Sequence, residues 1–220
     1  MKVAYLLYPG FTALDVVGAF QVLAAAPGLE SVFVSHEAGP VVDSTGLFPV
    51  CATQGVHDVQ DADLLVVPGS DRSGAPDDLL VDWLRLVHPS TSWAMAAGTG
   101  SLYLAAAGLL AGAEAATHWS AAGNLAGYGV TYSDRRLVRA GNVLTSAGAS
   151  AGIDLALALL DLSHGPAVAQ TVQLILEYDP EPPYDAGSPA KAPADIDEEV
   201  RAYYAGVRPP SADRQRPGAR

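Results

Sequence analysis

Short apolar runs that end in glycine- or proline-bearing turns and then give way to helical patterns constrain this chain more than any other feature. Residues 2–8, KVAYLLY, form one such run, closed by Pro9-Gly10 and followed by a helical pattern over 12–25 that Thr12 opens and Pro27 ends. Residues 63–67 form a second, apolar after Asp63 and ending in Pro68-Gly69. Behind it, 77–87 carries Leu79, Leu80, Trp83 and Leu84 at helical spacing. A third run, 92–97, leads into Gly98-Thr99-Gly100-Ser101 and an apolar helix over 102–110. Strands apolar on both faces and joined by helices predict an α/β fold: a mostly parallel sheet with helices on both faces. Ligands of such sheets gather beyond the carboxyl ends of the strands.

The remaining pattern extends this plan. Residues 31–35 read as a strand, 47–53 as part of a hairpin, 137–140 and 143–146 as strands, and 120–125, 149–162 and 170–178 as helices. No internal repeat is present. The expected organisation is one domain over 1–189, then a C-terminal helix at 195–204 and a partly flexible tail within 190–220. The proline-rich stretch 179–193 reads as ordered but irregular, and 209–220 as frayed.

Half the residues are hydrophobic and 16% are charged, a globular balance. No apolar run approaches the roughly 18–20 residues that span a bilayer, so no membrane association is expected. The opening apolar run is too short for a secretory signal and lacks a small-residue cleavage site, which predicts a cytoplasmic protein. Twelve basic residues against 24 acidic ones give a net charge of −12, a field that repels nucleic acid. A small molecule or another protein is the expected partner. The one cysteine, Cys51, rules out an intrachain disulfide and lies in the β-like FPVCAT, where a buried packing role is favoured over a nucleophile.

The most informative stretch is AMAAGTGSLYLAAAGLLAG, a strand, a tight turn and a helix. Such an elbow lifts one residue above the sheet beside the positive end of a helix, where an anion is stabilised. A cysteine or serine there would gain reactivity, but the apex is Gly98.

GTGSLYLAAAGLLAGAEAATHW resembles the ThiJ/PfpI superfamily, whose members usually read C-T-G-S before an A-G-L-L helix and T-H-W. LLYPGFTALDVVGAFQVL, VVPGS, AGASAGIDLALAL and LEYDPEPPYDAGSP carry the likeness to the isocyanide (isonitrile) hydratase branch, over about residues 2–189. The resemblance implies a flavodoxin-like (class I glutamine amidotransferase-like) sandwich, usually a homodimer with its site near the interface. In that branch the elbow cysteine attacks the isocyanide carbon, assisted by a carboxylate on the first helix and the threonine after the cysteine. Water then releases an N-substituted formamide. Carried onto this chain, the carboxylate is Asp15, the threonine Thr99 and the cysteine position Gly98, so the covalent route is closed. The resemblance also places His118 and Trp119 in the pocket or interface. Relatives commonly carry two glycines after the proline of VVPGS, where a backbone N–H helps form an oxyanion site; here the pair is Gly69-Ser70, and Ser70 could donate its N–H or rewire the pocket.

Gly98 admits three explanations: decay to a binder, repurposing for a larger substrate, or an engineered substitution, for which alanine or serine is the commoner choice. Glycine relieves a strained apex by about 1–3 kcal/mol, so a stable pseudoenzyme could retain it. Asp15 could serve merely as helix N-terminal charge, but apolar walls would turn it into a base, and the pocket role is favoured. Thr99 on its own reads as a helix N-cap, and both roles can hold together. Taken alone, His118 reads as structural and Trp119 as core. No H-E-x-x-H, paired cysteines or phosphate-loop lysine is present, so no metal or cofactor is expected, and Gly69, Ser70, Gly98 and Gly100 would line a cofactor-free site. Tyr178 and Tyr184 are given no catalytic role. The leading expectation is an enzyme using Asp15 and Thr99 for hydration, rearrangement or cyclisation of a small metabolite, as in specialised metabolism. The alternative is a non-catalytic binder or regulatory subunit.

Overall fold

The computed structural model describes residues 1–70 and 75–206. Its strands are β1 (Lys2–Leu6), β2 (Glu30–Ser35), β3 (Gly39–Val42), β4 (Pro49–Ala52), β5 (Gln54–Gly55), β6 (Leu64–Val67), β7 (Trp93–Ala97), β8 (Glu114–Ala115), β9 (Thr131–Tyr132), β10 (Leu137–Ala140) and β11 (Val143–Ser146). The helices are α1 (Ala13–Ala24), α2 (Asp78–Val87), α3 (Gly100–Ala106), α4 (Ala122–Leu125), α5 (Ala151–His164), α6 (Pro166–Ile175) and α7 (Ala194–Tyr204). The chain divides into two compact units, Met1–Tyr178 and Asp179–Arg220. In the second, α7 follows an irregular proline-rich segment. The expected fraying of 209–220 lies outside the described residues.

The first unit holds a seven-stranded sheet in the order β10-β11-β7-β6-β1-β2-β5. Every neighbouring pair is parallel except β10–β11. This is the mostly parallel α/β sheet that the alternating apolar runs predict, in a flavodoxin-like arrangement. β6 is buried at all four positions and β7 at four of five, as strands covered on both faces must be. α1 and α5 pack on each other and on the sheet, and α2 packs on α3. From β1 the order runs to β2 on one side and to β6 and β7 on the other, so the switch in strand order sits at β1. A crevice beyond the strand ends at that point is the expected ligand position.

Several elements differ from the sequence reading, each for a local reason. The helix expected over 102–110 starts at Gly100 and ends at Ala106, because Gly108 takes φ +83 and terminates it. The helix expected over 170–178 starts at Pro166, whose fixed φ suits a first helical position. The hairpin strand is β4, and its partner β3 lay unseen in GPVV, too short to show alternation. Cys51 is exposed rather than buried, since β4 belongs to a two-stranded hairpin with one face open to water. No described helix is long and apolar enough to cross a membrane.

Candidate active site

The turns after β1, β6 and β7 meet at the switch point. Asp15 stands on the first turn of α1 and is 2% exposed. Its Oδ2 accepts the Gly69 N–H at 2.6 Å, while Oδ1 is buried with no hydrogen-bond partner among the described residues. Burial pushes the Asp15 carboxyl up to about 6, against the downward pull of the Gly69 N–H. A side chain serving only as helix N-terminal charge would sit in water; this one is withdrawn from it.

A seam of hydrogen bonds fixes that carboxylate. The Thr12 N–H donates to Gly69 O at 2.8 Å, returning the bond that Gly69 makes to Asp15. Ser70 Oγ donates to Gly10 O at 2.7 Å, and the Tyr8 hydroxyl donates to Pro68 O at 2.7 Å. Tyr8 is buried, and burial, with Tyr103 and Asp15 adding to it, holds its phenol well above the usual range and neutral.

The elbow between β7 and α3 places Gly98 at φ +50, a conformation that favours glycine. Its N–H donates to Ser146 O at 3.1 Å. Its carbonyl accepts from the Ser101 N–H at 3.3 Å, Ser101 Oγ at 3.0 Å and Thr117 Oγ1 at 3.2 Å. A Cβ added at Gly98 would meet Gly148 Cα at 3.7 Å and Asp15 Oδ2 at 3.8 Å, ordinary contacts both. Gly69 and Gly100 are different. A Cβ on Gly69 would lie 2.7 Å from Thr99 Oγ1, and one on Gly100 would lie 2.3 Å from Val67 O. Those two glycines let the β6 turn and the elbow touch backbone to backbone.

Thr99 holds the N-cap position of α3 but makes no capping bond, which overturns the capping alternative. Its φ −68, ψ −5 backbone is helical, whereas side-chain capping needs the extended region. Instead Thr99 Oγ1 donates to Ser70 O and accepts the Ser70 N–H, both at 2.7 Å. The Ser70 N–H is thus engaged by Thr99, and the Gly69 N–H by Asp15.

His118 borders the same space, its Cδ2 lying 3.8 Å from where a Gly148 Cβ would stand. Its Nδ1 lies 3.4 Å from the Ser120 N–H, which donates to it, and 2.7 Å from Ser120 Oγ. Burial lowers its pKa below the usual histidine value. Trp119 is half-buried and reaches this neighbourhood through His118, with ring centroids 5.3 Å apart. The structure thus gathers Asp15, Gly69, Ser70, Gly98, Thr99 and Gly100 closely, with His118 at the margin and Trp119 beyond it.

Sequence reasoning missed Tyr8, Ser101 and Thr117. All three lie in the stretches LLYPGF, GTGS and ATHW, yet no spacing says that two hydroxyls converge on one carbonyl. Among the described residues, no group of three or more His, Cys, Asp or Glu side chains could hold a metal ion.

Comparison with known proteins shows the family. The chain is 38% identical over 203 residues to an isonitrile hydratase of Pseudomonas putida, covering 91% of this chain and 89% of that protein. It is 33% identical over 179 residues to the HTH-type transcriptional regulator CdhR of Pseudomonas aeruginosa, covering 76% of this chain but 52% of the regulator. The crystal structure of a ThiJ/PfpI family protein from Pseudomonas syringae superposes with a TM-score of 0.88 at 31% identity, covering 94% of this chain and 86% of that one. Drosophila melanogaster DJ-1beta shares the fold at a TM-score of 0.72 and 22% identity, over 80% of this chain and 97% of that one. The family profile of DJ-1/PfpI matches residues 1–162, which hold the elbow, the Asp15 helix and the sheet between them: the chain belongs to the DJ-1/PfpI family.

Proposed function

We propose that this chain is a cofactor-free, cysteine-less relative of the isonitrile hydratases, in which Gly98 stands at the position of a nucleophilic cysteine and Asp15 does acid–base chemistry on a small metabolite. One observation carries the reading. A carboxyl group buried at the switch point and poised at about 6 lies 3.8 Å from the side-chain position of the elbow residue. At neutral pH that group is mostly ionised and ready to take a proton, and its raised pKa makes it a competent acid on the return. Hydration, rearrangement and cyclisation all need such a proton shuttle. Thr99 and Ser70 brace the wall of the site, Gly69, Gly98 and Gly100 keep it slim, and His118 and Trp119 border the substrate. We read the protein as a cytoplasmic homodimer acting in specialised metabolism.

The test is conversion of an alkyl isocyanide to its formamide by the purified protein, beside Asp15→Asn and Gly98→Cys. The reading expects turnover whose kcat/KM rises with pH through about 6 and is lost in Asp15→Asn. Turnover in Gly98→Cys alone would remove isocyanides as the native substrate. The similarity to a transcriptional regulator favours a second reading, a ligand-sensing binder. Tight ligand binding without conversion, unchanged in Asp15→Asn, would select it.

A further inference from the structure

The amide that holds the Asp15 carboxylate is itself held from behind. Pro68 O and the Gly69 N–H are the two ends of one planar trans peptide, so they point to opposite sides of it. On one side the Gly69 N–H donates to Asp15 Oδ2 at 2.6 Å; on the other the Tyr8 hydroxyl donates to Pro68 O at 2.7 Å. The next peptide is gripped in the same way, its carbonyl by the Thr12 N–H and its own N–H by Thr99 Oγ1. Tyr8 stands where the chain leaves β1, 60 residues before Pro68, and is 6% exposed. Its ring is seated against that of Tyr103, with centroids 4.7 Å apart. Burial, with Tyr103 and Asp15 adding to it, keeps the phenol protonated, so it is a permanent donor. A buried hydroxyl bonded to a carbonyl is most often a satisfied packing group. Two facts set Tyr8 apart. The amide it donates to is the one whose N–H pulls the Asp15 carboxyl downward. And an amide whose oxygen accepts a hydrogen bond becomes a stronger donor at nitrogen, because each bond polarises the next.

We infer that Tyr8 is a positioning residue for Asp15, its hydroxyl orienting and polarising the Pro68–Gly69 amide so that the Gly69 N–H holds the carboxylate. The role deepens the acid–base reading of Asp15 and rests on it for any consequence in catalysis. Donation from Tyr8 favours the ionised carboxylate, and its loss favours the protonated one. Tyr8 thereby offsets part of the burial that lifts Asp15, and helps to keep that group a base at neutral pH. It exchanges no proton itself and acts only through the amide. The ionisable groups around the pair are Tyr103 on α3, Asp77 at the head of α2, whose N–H meets the Tyr103 hydroxyl at 3.4 Å, and His118 across Gly148 from the elbow.

The test reads the carboxyl without requiring turnover. Asp15 is titrated by residue-resolved 13C NMR in the unmodified protein, in Tyr8→Phe and in Tyr8→3-fluorotyrosine, whose more acidic phenol is a stronger donor. Thermal melts report that each folds. Tyr8→Phe is expected to titrate about 0.5 pH unit higher, with the Gly69 amide proton moved upfield. The fluorotyrosine protein is expected to titrate lower, with that proton moved downfield. Tyr5→Phe is the control: Tyr5 is an equally buried phenol on β1, packed against Phe20 and Phe33, and its loss should leave Asp15 in place. An unchanged Asp15 titration in Tyr8→Phe, or an equal rise in Tyr5→Phe, overturns the role. If Tyr8→Phe does not fold, a fluorotyrosine value equal to or above the unmodified one overturns it. Where isocyanide turnover is present, the rise of kcat/KM with pH should move upward with the titration in Tyr8→Phe. If the titrations move as expected and no isocyanide is converted, the positioning role stands and isocyanide hydration falls.

Discussion

Replacing Asp15 by asparagine should make the protein more stable at neutral pH, although it removes a hydrogen-bonded carboxylate. The reason lies in the direction of the shift. Burial lifts the Asp15 carboxyl to about 6 in the folded protein, against an ordinary 3.8 in the unfolded chain. Between those values the folded state binds more protons, so stability falls as pH rises through that window and levels off above it. A difference of about 2.2 units, at about 1.36 kcal/mol each, is about 3 kcal/mol by pH 7.5. An asparagine carbonyl can still accept the Gly69 N–H, does not titrate, and escapes the cost of burying charge. For a domain of this size, about 3 kcal/mol corresponds to roughly 6–12 °C in Tm. The assay is a set of calorimetric or fluorescence melts of both proteins from pH 4 to 8. Other groups titrate alike in the two and cancel in the difference. The variant-minus-parent Tm should grow with pH through about 6 by up to that amount. A difference that stays flat, or shrinks as pH rises, would refute the buried-carboxylate argument.

Other substitutions probe the elbow. Gly98→Cys should fold, since its Cβ meets atoms at 3.7 and 3.8 Å, with about 1–2 kcal/mol lost to the left-handed backbone. In a Cys51→Ser background, mass spectrometry after alkylation should then show one modified thiol, at position 98. Gly100→Ala, by contrast, would drive a Cβ to within 2.3 Å of Val67 O, and a loss of about 3 kcal/mol or more should appear as insoluble or unfolded protein. Gly108→Ala, also glycine but with nothing within 4 Å, should lose only about 1 kcal/mol in a denaturant melt. Thr117→Val removes one of two hydroxyls on the Gly98 carbonyl, and with Ser101 still in place the expected loss is about 1 kcal/mol by urea unfolding.

Both the fold and the apex of the elbow were legible in the residues alone. Apolar strands such as LLVV and AMAA point to burial on both faces and so to a mostly parallel sheet, and the G-T-G-S turn after one of them reads as an elbow. The resemblance singled out Asp15 as well. What the sequence could not supply is which partners Asp15, Thr99, Ser70, Tyr8 and Thr117 take, because those partners lie 19 to 60 residues away. Thr99 was legible as a threonine at a helix start, but only the close approach of the β6 turn decided that it clamps Ser70 rather than capping α3. Thr117 looked ordinary until the fold brought its hydroxyl to the Gly98 carbonyl, beside the local bond from Ser101 three residues on. Cys51 was misread for the same reason. Local β-propensity says strand, but only the tertiary structure says whether anything covers its face. Periodicity is a local property of the chain, whereas hydrogen-bond partnership and burial at a crevice are decided where three strand ends meet.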